Sequence, residues 1–153
     1  MKLTRRNFIV DLLKGSSFIA LATSFPTMAF AKWNEKAFKA KQLKQALESK
    51  YGKQQIVDSG DILLKAPTIA ENGAVVPIRV STNIANTNNI SLFVKDNPTP
   101  LIASLNFGET SIPEIQIRIR MAKTSEVIAI VEADGKLYQT KQLVKVTIGG
   151  CGG

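Results

Sequence analysis

Cys151 is the only thiol in this 153-residue chain, and it sits in Gly149-Gly150-Cys151-Gly152-Gly153 at the carboxyl end. Glycine on both sides leaves nothing bulky for the sulfur to pack against, and chain ends seldom take part in a core. Without a Cβ, each glycine also frees φ and ψ, so the segment reads as a thin arm. A thiolate forms and breaks bonds to sulfur readily. The chemistry that suits such a device is covalent carriage of a small group into narrow sites on other proteins. The remaining inventory is sparse. The chain has no histidine, which excludes Ser-His-Asp and Cys-His machinery, the usual zinc and copper sites and haem ligation by histidine. One cysteine excludes C-x-x-C redox chemistry and structural zinc clusters. No phosphate loop or G-x-G-x-x-G pattern occurs, and neither a helix nor a lysine follows the terminal glycines. The carboxylates are scattered through turns and strand edges, and Arg118 and Arg120 read as the wet face of one strand. No catalytic residue, metal site or cofactor is expected.

The amino terminus specifies a compartment. Residues 1–31 read as an export signal: Lys2, Arg5 and Arg6 form its positive start, an apolar stretch follows, and Ala29-Phe30-Ala31 is an A-x-A cleavage site. Thr4-Arg5-Arg6-Asn7-Phe8-Ile9 resembles the twin-arginine motif. Polar residues and Pro26 interrupt the apolar stretch, which is shorter than the ~20 residues of a spanning helix, so no membrane anchor is expected. The mature chain is placed in a bacterial periplasm. There a lone cysteine stays free or pairs with another molecule.

What remains after residue 31 suffices for one domain with a core. The formal charge of +8 for the whole chain falls to +5 without the signal, and seven lysines against two glutamates between Lys32 and Lys53 account for that excess. The rest is balanced and poor in aromatics, which argues against a nucleic-acid partner. Residues 32–53 read as one helix with Asn34 as cap, Glu35 in its first turn and Gly52 at its end. Trp33, Ala37, Ala40, Leu43 and Leu47 give it an apolar stripe, with a solvated lysine face opposite.

From Asp61 the period changes to two. Ile115, Ile117, Ile119 and Met121 alternate with polar residues, as do Val76, Ile78 and Val80. Further strands are expected at 62–65, 90–95, 101–107, 126–132, 137–140 and 143–148. Asn72-Gly73 and Asp134-Gly135 read as hairpin turns. Pro77 lacks a ladder donor, which predicts an edge strand or a bulge. Residues 54–148 thus read as a mainly β, immunoglobulin-like antiparallel sandwich preceded by one helix.

With these features together, the chain resembles the SoxY family, sulfur-carrier subunits of the periplasmic Sox (sulfur-oxidising) system. The terminal Gly-Gly-Cys-Gly-Gly is the most diagnostic part, and Ala70-Glu71-Asn72-Gly73-Ala74-Val75-Val76-Pro77-Ile78 resembles that family's first hairpin. The resemblance implies that Cys151 holds the substrate as a covalent S-conjugate, with Gly149, Gly150, Gly152 and Gly153 forming the arm. It also implies a heterodimer with a second small sandwich protein, SoxZ. Soluble enzymes of the cycle would load thiosulfate, release sulfate and oxidise the remaining sulfane. Three other readings stand beside it: a secreted binding module with an intermolecular disulfide, a ubiquitin-like thiocarboxylate carrier, and an enzyme using lysine, tyrosine or carboxylates.

Overall fold

Strand β8 (Ser125–Ala133) shows how the sequence builds the architecture, because nearly every residue in it is buried. Val127, Ala129 and Val131 point into a core between two sheets, whereas Ile128 and Ile130 point the other way, into a second core under helices. A run that is apolar on both faces must be covered on both faces. The computed structural model describes residues 34–148, which belong to one compact unit.

Two short helices, α1 (Glu35–Lys39) and α2 (Leu43–Tyr51), lead into nine strands. These are β1 (Ile56–Asp58), β2 (Ile62–Lys65), β3 (Ile69–Asn72), β4 (Val76–Thr82), β5 (Thr87–Val94), β6 (Leu101–Asn106), β7 (Glu114–Ile119), β8 and β9 (Lys136–Ile148). One sheet runs β1-β9-β8-β5-β6 with β3 also on β9, and the other runs β2-β4-β7. This is the mainly β, immunoglobulin-like sandwich that the alternation predicts.

The single expected helix is instead a helical hairpin. Asn34 does cap the start, accepting from the Ala37 amide at 3.1 Å, and Gly52 closes the end at φ 66°. Between them Ala40 turns extended (φ −59°, ψ 139°). No glycine or proline sits there, so packing imposes the break. Folding α1 back lets Asn34 Nδ2 donate to the Ser49 carbonyl at 2.9 Å. It also buries Ala37 and Ala46 completely against the outer face of the larger sheet.

The sandwich is not wholly antiparallel. β2 pairs antiparallel with β4, the chain then crosses to the other sheet, and β3 runs parallel to β9. β1 is likewise parallel to the start of β9, pairing Ile56 with Leu137. Both segments are short and lie at an edge, where one-sided burial writes little alternation. Asn72-Gly73 is therefore a corner between sheets rather than a hairpin. Asp134-Gly135 is a hairpin, with φ of 50° and 70° as a two-residue type I′ turn needs. The two strands expected over 137–148 are one strand of 13 residues. Pro77 lies in the central strand of its sheet, yet β2 reaches only as far as Arg79, so Pro77 pairs with Arg118 alone. Its missing N–H leaves no ladder broken on the uncovered side.

Candidate functional site

Ile148, the last described residue, ends β9 directly before Gly149, so what braces the end of that strand bears on the glycine-cysteine segment. β8 accompanies β9 only as far as the Ser125–Val144 pair. Beyond it the Thr124 hydroxyl takes over on that side, accepting from the Val146 amide at 2.9 Å. On the other side β3 follows β9 to the Asn72–Ile148 pair, and the Thr147 hydroxyl donates to the Glu71 carbonyl at 2.8 Å. The strand is thus held laterally up to the residue before Gly149.

Loops complete the bracing. The side chain of Asn97, 7% exposed, donates to the Arg120 carbonyl at 2.7 Å and accepts from the Ala122 amide at 2.9 Å. This joins the β5–β6 loop to the β7–β8 loop. The Met121 amide donates to the Gly73 carbonyl at 2.7 Å, tying the same loop to the corner after β3. The Ser125 hydroxyl donates to the Asp96 carboxylate at 3.0 Å. Lys95 pairs with Glu126 at 3.0 Å, and that hydrogen bond and charge raise the ammonium pKa above its ordinary value. Arg118, Arg120, Lys123 and Lys145 stand exposed at this end, and none pairs with a carboxylate among the described residues.

Cys151 and Gly149, Gly150, Gly152 and Gly153 lie outside the described residues, as do Arg5, Arg6, Ala29 and Ala31 of the export signal and Trp33 of the apolar stripe. Sequence reasoning pointed to the glycine-cysteine segment but not to what braces the strand before it. Thr124 and Asn97 carry no motif, and only the fold brings them to the end of β9.

Two other features lie elsewhere. A cleft of 760 Å³, lined in part by Thr82, Asn86, Phe107, Glu109 and Asp134, opens at the start of β9. The strand's length, roughly 40 Å at ~3.3 Å per residue, separates it from the arm. Beneath α2, Ser91 donates to Asn89 at 2.8 Å, and Asn89 donates to Asn106 at 2.7 Å. Tyr51 packs beside them with its hydroxyl buried and unpartnered among the described residues. Burial pushes its pKa well above the ordinary 10.0. The nearby Ser91 hydroxyl draws it partly back without reaching hydrogen-bond geometry, and the Glu132 charge adds to the rise. Lys50, over the Tyr51 ring at 5.1 Å, is shifted down by its own desolvation, against the pull of Glu132. These groups sit in the packing between helix and sheet.

Among the described residues no helix is long and apolar enough to cross a membrane. Comparison with known proteins gives one strong signal. The family model for the sulfur oxidation protein SoxY matches residues 47–151, a span whose last residue is Cys151. The solved sulfur carrier protein SoxY from Chlorobium limicola f thiosulfatophilum is similar at 46% identity and a TM-score of 0.65, covering 74% of this chain and 99% of its own. The superoxide reductase (neelaredoxin) of Ignicoccus hospitalis is similar at 16% identity and a TM-score of 0.50, over 56% of this chain and 79% of its own. That second likeness is one of fold alone. No curated protein matches the sequence. From Leu47 to Cys151, and in its two-sheet architecture, the chain belongs to the SoxY family of sulfur carriers, which are not catalysts.

Proposed function

We propose that this protein holds thiosulfate-derived sulfur covalently on Cys151 and presents it to partner enzymes. The observation that carries this reading is the chain's only thiol, at the end of the family match and flanked by Gly149, Gly150, Gly152 and Gly153. It follows directly on a strand braced to its last register. A fixed platform with a thin arm suits delivery: from Ile148 to Cys151 the chain spans at most ~10 Å at ~3.5 Å per residue. In the cycle that the family resemblance implies, the Cys151 thiolate couples to thiosulfate and two electrons pass to the loading enzyme. The bond formed is a disulfide ending in sulfonate. Water then releases the sulfonate as sulfate with two protons, leaving a persulfide on the cysteine. The chain supplies the attachment point, and its partners supply the activation and the redox centres.

The carrier works in the periplasm, reached by the twin-arginine route through Arg5 and Arg6, with cleavage after Ala31. It pairs there with a SoxZ-like sandwich subunit. In support, Leu63 is about half exposed on β2, an edge strand of the smaller sheet, and Val57 and Ile69 are about half exposed on β1 and β3, which pair along the β9 edge. Leu143 on β9 is exposed beside them. Large apolar side chains left exposed at sheet edges suit a protein partner.

Whole-protein mass spectrometry after exposure to thiosulfate and the loading enzyme tests the assignment. Sulfur adducts that map to Cys151 are expected. A product limited to disulfide-linked dimers would replace carriage with a binding role, and modification at the Gly153 carboxylate would point to a thiocarboxylate.

A further inference from the structure

The charges of the sandwich balance in sequence but not in space. At the arm end, Arg118 lies next to the last residue of β7, Arg120 and Lys123 lie in the loop after it, and Lys145 lies on β9, all exposed. The carboxylates at that end are three. Glu126 is paired with Lys95, Asp96 accepts from Ser125, and Glu71 stands without an ion pair among the described residues. At the opposite end Asp58, Asp61, Glu109, Glu132 and Asp134 outnumber the cations there, Lys136 in the β8–β9 hairpin and Lys50 beside Glu132. The body is therefore a dipole with its positive pole around the arm.

Register fixes how near these cations are to the arm. Lys145 pairs with Ile69 on the same strand pair that ends at Asn72–Ile148. Lys123 adjoins Thr124, which is bonded to Val146. Arg120 adjoins Met121, which is bonded to Gly73, next to Asn72. An arm of at most ~10 Å cannot reach a buried active site unless this end of the sandwich lies against the enzyme's surface. The cations around the base must then lie in the contact.

We propose that Arg118, Arg120, Lys123 and Lys145 form a docking collar for enzymes whose active-site entrance is rimmed with Asp and Glu. This deepens the carrier reading and rests on it. The dipole turns the molecule arm-first in the field of an acidic rim, and an exposed collar raises encounter rate more than residence time. A carrier that must leave each enzyme after one step needs that kind of recognition.

The test uses the mature chain with its sandwich partner and the enzyme that loads thiosulfate. The variant is Arg120→Glu/Lys123→Glu/Lys145→Glu, checked for unchanged melting. The expected result is a fall of about 10- to 100-fold in kcat/KM for the carrier, carried by KM, with kcat nearly intact. The parent's kcat/KM should fall steeply as salt rises past the ~10 Å screening length of about 0.1 M, and the variant's should not. Reaction of Cys151 with a small uncharged disulfide reagent should be equal in both. Unchanged, salt-independent kcat/KM with normal adduct formation overturns the collar alone. An equal loss in reaction with a small anionic disulfide reagent also overturns it, because the cations then serve the anion and not the enzyme. Loss of the sandwich partner from the purified variant overturns it too, assigning the cations to the subunit contact. Absence of any adduct at every salt concentration overturns the carrier reading itself.

Discussion

At the scale of single residues, Cys151 and Tyr51 are opposites. Cys151 follows the last strand and the body owes it little, so Cys151→Ser should abolish sulfur turnover while shifting stability by less than about 0.5 kcal/mol. Mass spectrometry and a urea melt on the same sample check both halves. A variant that still gains sulfur adducts would exclude this attachment point. Tyr51 instead lies 8% exposed between α2 and the larger sheet, its hydroxyl unpartnered among the described residues. Its pKa is raised in the folded state by burial, so the folded protein holds the proton more tightly than the unfolded chain. That contribution is fully present below the ordinary value of 10.0 and is lost as pH rises from there through the folded value. Tyr51→Phe should leave stability at pH 7 within about 1 kcal/mol, because no hydrogen bond is broken. It should also flatten the alkaline loss, read as urea midpoints at about pH 7 and about pH 11. A variant that still loses stability as steeply as the parent would place the alkaline sensitivity elsewhere.

At the scale of elements, what could be read from sequence depended on whether the information was local. Val76–Thr82 and the Asp134-Gly135 hairpin were legible because each carries its own signal: alternation in one, a pair tolerant of positive φ in the other. The break after Lys39 was not, because only folding back onto the sheet makes it favourable. The passage of β2 into β3 was equally hidden, since a strand that changes sheets looks like any strand. The glycine-cysteine segment stood out in the sequence, whereas the Asn97 clasp near the end of β9 depends on residues brought from two loops. Asn97→Ala should cost about 1–3 kcal/mol, because it orphans the Arg120 carbonyl and the Ala122 amide in a part-buried site. Hydrogen exchange should rise in residues 120–124 ahead of the rest, and uniform loosening would mean that Asn97 does not hold that loop. Gly150→Val and Gly152→Val add β-branched bulk beside the thiol and restrict the backbone that, on the carrier reading, would thread a partner's pocket. Both should react normally with small thiol reagents and turn over poorly with the enzymes. Full turnover by both would remove the need for a thin arm.

At the scale of the whole molecule, β9 decides when the fold can form. It is the last strand made, yet β1 and β3, far earlier in the chain, pair with nothing else in their sheet. Neither edge closes until residues 136–148 have been synthesised, and such non-local pairing is slow. An export route that accepts folded protein suits this topology, because the domain can finish, and take up a partner subunit without a signal of its own, before it crosses. The exposed Val57 on β1 and Ile69 on β3 are a liability in a monomer, and a partner bound before export would cover them. Replacing Arg5 and Arg6 together by lysine keeps the charge of the signal but removes the pair that the twin-arginine route requires. The expected outcome is a folded, uncleaved precursor held in the cytoplasm together with its sandwich partner, seen by fractionation and by the uncleaved mass. The parent should reach the periplasm beginning at Lys32, bringing the partner with it. If the double-lysine variant accumulates in the periplasm at the parent's level, the chain crosses unfolded, and the pairing of β9 with β1 and β3 must then form on the far side.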